Sequence, residues 1–182
     1  MLFRSESYDL ILDDKIVNVK PSEVEEMPLE EQISRAKRDL LNLKKELDDY
    51  KISYMCKFSG SKGFHINIDG KNLPDVHPMK KVEIADKLTK EFSKILDLKT
   101  IDLNLMEKRR IWAVPYSLKG TKVCLPLDDS QIKYFKLEDM EAINILQNVG
   151  IKNRGILERN ADLPLEQKKL NFKKMLKEYE VI

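Results

Sequence analysis

Apolar residues along this chain recur with two spacings, and the switches between them mark out the elements. Over residues 29–49 they fall at Ile33, Ala36, Leu40, Leu43 and Leu47, the three-and-four spacing of one helix face. A second stripe, Val82, Ala85, Leu88, Phe92 and Ile95, predicts a helix over residues 80–96 with those side chains turned inward. A third, Leu165, Phe172, Met175, Leu176 and Tyr179, predicts a final helix over 165–179, docked on the body or binding a partner, docking being the commoner outcome. Residues 139–149 read as a helix closed by Gly150. Between these, short runs rich in Leu, Ile, Val and aromatic residues predict strands at 8–13, 15–19, 53–58, 64–68, 101–105, 110–116 and 122–125. Ser22 is placed to cap a short acidic turn, and Asp69-Gly70 marks another turn. In the 101–105 run, parity buries Ile101, Leu103 and Leu105 and exposes Asp102 and Asn104.

Helices alternating with paired strands predict an α+β (mixed α/β) fold, a mostly antiparallel or mixed sheet packed by helices, rather than a doubly wound one. Residues 1–150 then form the core, and 151–182 a linker and an amphipathic helix. Internal repeats and low-complexity segments are absent from the sequence.

Composition narrows the function. With 182 residues the chain can bury a real core, and a net charge of +2 excludes a bulk polycation, so any nucleic-acid contact must come from local basic patches. Cys56 and Cys124 stand alone in apolar strand contexts. With His65 and His77 the only histidines, no structural zinc is expected, and the cysteines read as buried reduced thiols of a cytosolic protein. No signal peptide and no apolar run of membrane length appears, so no membrane is expected.

The most informative stretch is Ser59-Gly60-Ser61-Lys62-Gly63-Phe64-His65. It lies between two predicted strands, so it reads as a glycine-rich turn. Glycines permit positive φ and close approach, and successive N–H groups in such a turn form an anion-binding concavity. Lys62 adds charge. Parity puts Phe64, Ile66 and Ile68 on one face and His65, Asn67 and Asp69 on the other, so His65 leaves the core. A solvated strand histidine is the plainer alternative. A Walker-type loop fails here, because no helix pattern follows the lysine.

This pattern resembles the second motif of the archaeo-eukaryotic primase superfamily, which includes the small catalytic subunit of DNA primase and the polymerase domain of end-joining ligases. A further match lies in Thr100-Ile101-Asp102-Leu103, Arg109-Arg110, Val114-Pro115-Tyr116-Ser117-Leu118-Lys119-Gly120 and Leu125-Pro126-Leu127. It is similar to the family's aspartate strand, its Pro-x-Ser-x-basic segment and the strand that closes them. The resemblance covers roughly residues 50–130.

It implies an RRM-like primase-polymerase core that adds nucleotides from NTPs or dNTPs on a DNA template with two Mg²⁺ or Mn²⁺ ions. By position, Ser59, Gly60, Ser61, Lys62, Gly63, His65, Ser117 and Lys119 would bind the incoming nucleotide. Lys119 stands where primases often carry histidine and the end-joining polymerases arginine. Asp102 would be a catalytic metal ligand, a surface strand aspartate being the plainer alternative, and Arg109, Arg110 and Lys122 would meet nucleic acid, with an ordinary exposed basic pair the plainer reading of Arg109-Arg110.

The family's Asp-x-Asp pair has no regular counterpart. Asp13 and Asp14 are the candidate catalytic metal ligands, but adjacent residues point to opposite faces of a regular strand. Asp9 and Asp13 share a face about 13 Å apart, and Lys15 occupies the second ligand position if Asp13 is the first. A β-bulge would bring Asp13 and Asp14 together. The segment that precedes this motif in family members is also missing, so the chain reads as a fragment, a minimal form or a degenerate relative. Three readings stay open: a primase-polymerase, an end-joining repair polymerase, and a catalytically inactive subunit that binds nucleotide or nucleic acid. A larger primase subunit or other replication and repair proteins are the partners implied, in a cytoplasm of prokaryotic type.

Overall fold

The computed structural model describes residues 9–12, 15–18, 28–103, 114–147 and 158–182. It is a mixed α plus β fold in which every described strand pairing is antiparallel. Strands β1 (Asp9–Leu12) and β2 (Lys15–Asn18) form a hairpin in which Leu12 pairs with Lys15. Helix α1 (Leu29–Asp49) follows, then β3 (Tyr54–Phe58) and β4 (Phe64–Asn67), a 3₁₀ turn at Gly70–Asn72, and α2 (Pro78–Ile95). The small hairpin β5 (Leu118–Lys119) and β6 (Lys122–Val123) leads to α3 (Asp129–Lys133), α4 (Ala142–Gln147), β7 (Glu158–Arg159) and α5 (Leu165–Glu178).

Helix α1 is the spine of the core. Its five stripe residues are all buried, Glu30 and Glu31 complement the helix dipole at its start, and Arg35 pairs with Glu31 one turn away. It packs on the sheet face carrying Tyr54, Cys56, Phe58, Phe64 and Ile66. The three long helices end alike. Lys51, Asp97 and Glu180 each take a left-handed φ, at +53°, +52° and +52°. The next residue's N–H reaches back to the last turn: Ile52 to Leu47, Leu98 to Ser93 and Val181 to Leu176. Ile52, Leu98 and Val181 are all buried, so each helix stop doubles as a core contact.

Helix α5 docks on the body. The Tyr179 ring stands edge-on to Phe92 with centroids 4.9 Å apart, its hydroxyl donates to Glu46 at 2.6 Å, and Lys169 pairs with Asp75 at 2.8 Å. Leu165, expected in its buried stripe, is exposed.

Several expectations need correction. The buried stripe of α2 is Ile84, Leu88, Thr89 and Phe92, while Ile95 is 56% exposed, so the helix, which runs Pro78–Ile95 under a His77 cap, faces the core along a line rotated from the expected one. The strand expected over 101–105 is not regular at its described end: Ile101 makes a single bridge and Leu103 sits in a turn, 42% exposed. Its approach is held by a side chain rather than by a ladder. At the end of the 110–116 run, Pro115 and Tyr116 form a turn closed by the Ser117 N–H on Val114 O at 3.0 Å, as suits a proline with no N–H to give. Residues 139–147 split into a 3₁₀ turn (Glu138–Met140) and α4, because Glu141 is extended and bridges Lys122. Ser22, Asn104, Leu105, residues 110–113 and residues 148–150 lie outside the described residues. None of the helices among the described residues is long and apolar enough to cross a membrane.

Candidate functional site

The 59–63 loop joins β3 to β4 and is rigid for reasons that can be counted. The Ser59 N–H donates to Gly63 O at 2.8 Å, closing the hairpin. The Ser59 hydroxyl sits inside the turn and accepts the N–H groups of Ser61 and Gly63, each at 3.2 Å. Beneath it Phe58, Phe64 and Phe135 pack ring against ring, with centroids 6.0, 5.2 and 5.0 Å apart. Two of the loop's donors are therefore committed inward. Among the described contacts, the N–H groups of Gly60 and Lys62 make no hydrogen bond, and the exposed Lys62 ammonium makes no ion pair. Ser61 is half-buried beside them.

Gly60 has φ +79°, and its flank carries a contact between two distant parts of the chain. A Cβ there would lie 3.1 Å from Lys119 Cβ and 3.3 Å from Cys124 N, so the loop rests directly on the 117–124 hairpin. That hairpin is tightly bonded: the Tyr116 N–H donates to Cys124 O at 2.6 Å and the Cys124 N–H to Ser117 O at 2.9 Å. Tyr116 holds φ +67°, a left-handed conformation that a bulky residue seldom adopts, and this places Ser117 half-buried at the start of the hairpin. The two segments singled out in the sequence, 59–63 and 117–119, thus meet.

His65 is 5% exposed, so it is no solvated strand histidine. It stands opposite Lys57 across the β3–β4 ladder, and Lys57 is only 2% exposed. Burial pushes the Lys57 ammonium below its ordinary pKa and the neighbouring Cys124 thiol above its own. The polar side of this hairpin is therefore enclosed. Lys57 was missed in the sequence, although the parity that singled out His65 puts Lys57 on the same face. With Lys62 and Lys119 it makes three lysines around one loop.

Asp102 is half-buried and follows Ile101, which belongs to the core. The chain reaches it through a turn fixed by Asp39, a residue on α1 that is 1% exposed. Asp39 Oδ2 accepts the N–H groups of Lys99 and Thr100, both at 2.8 Å, and the Thr100 hydroxyl at 2.9 Å. Asp39 also escaped notice in the sequence, where an acidic residue on an amphipathic helix carries no mark.

Lys122 is half-buried and paired with Glu141 at 2.7 Å, so its charge is already matched. Cys56 and Cys124 are both buried and reduced. Arg109, Arg110, Asp13 and Asp14 lie outside the described residues. Of the three carboxylates that a two-metal centre would need, Asp102 alone is described. Among the described residues no three His, Cys, Asp or Glu side chains converge as a metal site. These residues do not by themselves make a fit for the metal pair. No protein-family model matches the chain, and no curated protein matches it.

Proposed function

We propose that the 59–63 loop, with Lys119 at its side, binds the polyphosphate of a nucleoside triphosphate, in a primase-polymerase-like protein that adds nucleotides along a DNA template. The observation that carries this reading is the packing of Gly60 against the Lys119 stem, 3.1 Å from the position of a Cβ. It brings a glycine-rich turn with unspent N–H groups beside two exposed lysines, a combination suited to a polyanion. Lys119 would act as a point charge, without the bidentate fork of arginine. Ser59 contributes by shaping the loop from within rather than by touching the ligand. His65 and Lys57 lie in the enclosed strand pair below the loop, where each can hold the other strand's polar face in place. Asp102 is the carboxylate this reading assigns to catalysis, and an RRM-like core is the fold it implies.

The test has two arms. Titration with a nucleoside triphosphate, followed by calorimetry, should show binding that weakens about tenfold or more in Lys62→Ala and in Lys119→Ala, since each loses a charge-assisted phosphate contact. Extension of a primed DNA template with Mn²⁺ present should be lost in Asp102→Asn while nucleotide binding persists. Absence of nucleotide binding in the natural chain overturns the proposal.

The irregular first acidic motif favours a second reading, a nucleotide-binding subunit without catalysis. Binding with no incorporation on either single-stranded or overhanging DNA would select it. Extension restricted to overhangs would select an end-joining repair polymerase instead.

A further inference from the structure

On the sheet face opposite Lys57 and His65, a cavity of about 360 Å³ lies between α1, β3 and α3. It exists because the outer edge of β3 changes partner along its length. Strand β7 pairs with Tyr54 and Met55, whereas residues 125–127 take over from Cys56 onward, through the Leu127 N–H on Cys56 O at 3.0 Å and the Phe58 N–H on Leu125 O at 2.8 Å. The gap between the two partners is the cavity. Its floor is apolar, made by the Tyr54 ring, Cys56, Leu127 and Ile132, all buried. Its size is at the small end of ligand sites.

Two cations stand over this floor. The Lys44 ammonium is buried and donates to Tyr54 Oη at 3.0 Å and to Asp129 Oδ1 at 2.8 Å. Arg159, half-exposed, pairs with Asp129 Oδ2. The Tyr54 hydroxyl gives its own proton to Asp48 Oδ1 at 2.8 Å. One carboxylate therefore spans the two cations, with one oxygen for each. That carboxylate is not needed by its own helix: α3 is capped by Asp128, which accepts the Gln131 N–H at 2.8 Å. Asp129 is half-exposed and sits over an apolar recess that it does not fill.

We propose that this cavity binds a small carboxylate with an apolar body, whose carboxylate takes the place of Asp129 between Lys44 and Arg159. Burial disfavours the charged form of Lys44; Asp48 Oδ2 stands 3.9 Å away, and Asp129, at 2.8 Å, is the anion in hydrogen-bond contact, a contact that a ligand carboxylate would restore where Asp129 gives way. A planar two-oxygen anion reproduces the bonds that Asp129 makes. A phosphate monoester would bring a second negative charge toward Asp128, which also lines the cavity, and toward Asp48 beside Lys44. The site is separate from the proposed nucleotide loop. Ser59 follows the last residue of β3 and stands five positions along the chain from Tyr54, roughly 17 Å of extended strand.

The test is a titration of the full chain with benzoate, benzamide and phenyl phosphate, read by the amide NMR shifts of Cys56, Leu127 and Ser130. A tethered carboxylate competes at an effective concentration in the millimolar range, so Asp129→Ala should tighten benzoate binding about tenfold or more over the natural chain. Benzamide and phenyl phosphate should bind that variant at least about tenfold more weakly than benzoate, for want of the ion pair or by repulsion. Adding Arg159→Gln, a change at a half-exposed side chain that spares the buried Lys44, should remove the tightening. Equal binding of benzamide, tighter binding of phenyl phosphate, or no shift at the three amides in Asp129→Ala would each overturn the proposal.

Discussion

Two turns in this molecule are each pinned by one side-chain oxygen that accepts two backbone N–H groups, and they are pinned in opposite ways. In the 59–63 loop the oxygen is the Ser59 hydroxyl, neutral and part of the loop itself. At Lys99 and Thr100 it is the Asp39 carboxylate, charged, buried and brought from 60 residues away on α1. The Asp39 oxygen takes a third bond from the Thr100 hydroxyl, so that turn is saturated. In the Ser59 loop the N–H groups of Gly60 and Lys62 make no hydrogen bond among the described contacts. The difference separates a turn built to hold the fold from one built with donors to spare. Side-chain pinning by itself does not mark a binding site; the proposal for the 59–63 loop rests on the donors left over.

The contrast can be broken by mutation. The largest effect is expected for Asp39→Ala, which strands two N–H groups and a hydroxyl in the interior. It should cost about 3–5 kcal/mol in denaturant unfolding, with Asp39→Asn losing less because its amide oxygen still accepts. Nucleotide affinity should be unchanged wherever the variant is folded. Gly60→Ala comes next. A left-handed φ and contact with Lys119 Cβ and Cys124 N should cost about 2 kcal/mol, and nucleotide affinity should fall as the loop is pushed off the 117–124 hairpin. Ser59→Ala should cost about 1–2 kcal/mol in stability. Its nucleotide affinity should fall all the same, since the loop's remaining donors lose their alignment. If Asp39→Ala weakens nucleotide binding as much as Ser59→Ala does, the two turns are not functionally distinct.

What could be read in advance follows the range of the forces involved. The α1 stripe and the β3–β4 hairpin were legible to within a residue or so, because three-and-four and alternating spacings report a side chain's own element. The same rule failed where an element is shaped by something distant. Helix 139–149 broke at Glu141, drawn out by Lys122, and α2 turned to the core a stripe different from the one its apolar spacing predicts. Helix α3 and strand β7 went unread, being five and two residues long and too short for any periodicity to show. At the candidate site, Ser59, Gly60, Lys62 and Lys119 were legible from their motifs, whereas Lys57 and Asp39 were not.

By itself the sequence determined the helix stripes, the glycine-rich loop between two strands and the side of the strand on which His65 lies. These depend on bond geometry within a few residues, which every short segment carries with it. Only the tertiary structure decided that the polar side of the hairpin is enclosed, that Lys119 rests on Gly60, and that Asp129 bridges Lys44 and Arg159. Those depend on which distant surfaces exclude water together. That exclusion is a property of the whole packed chain, and no local spacing encodes it.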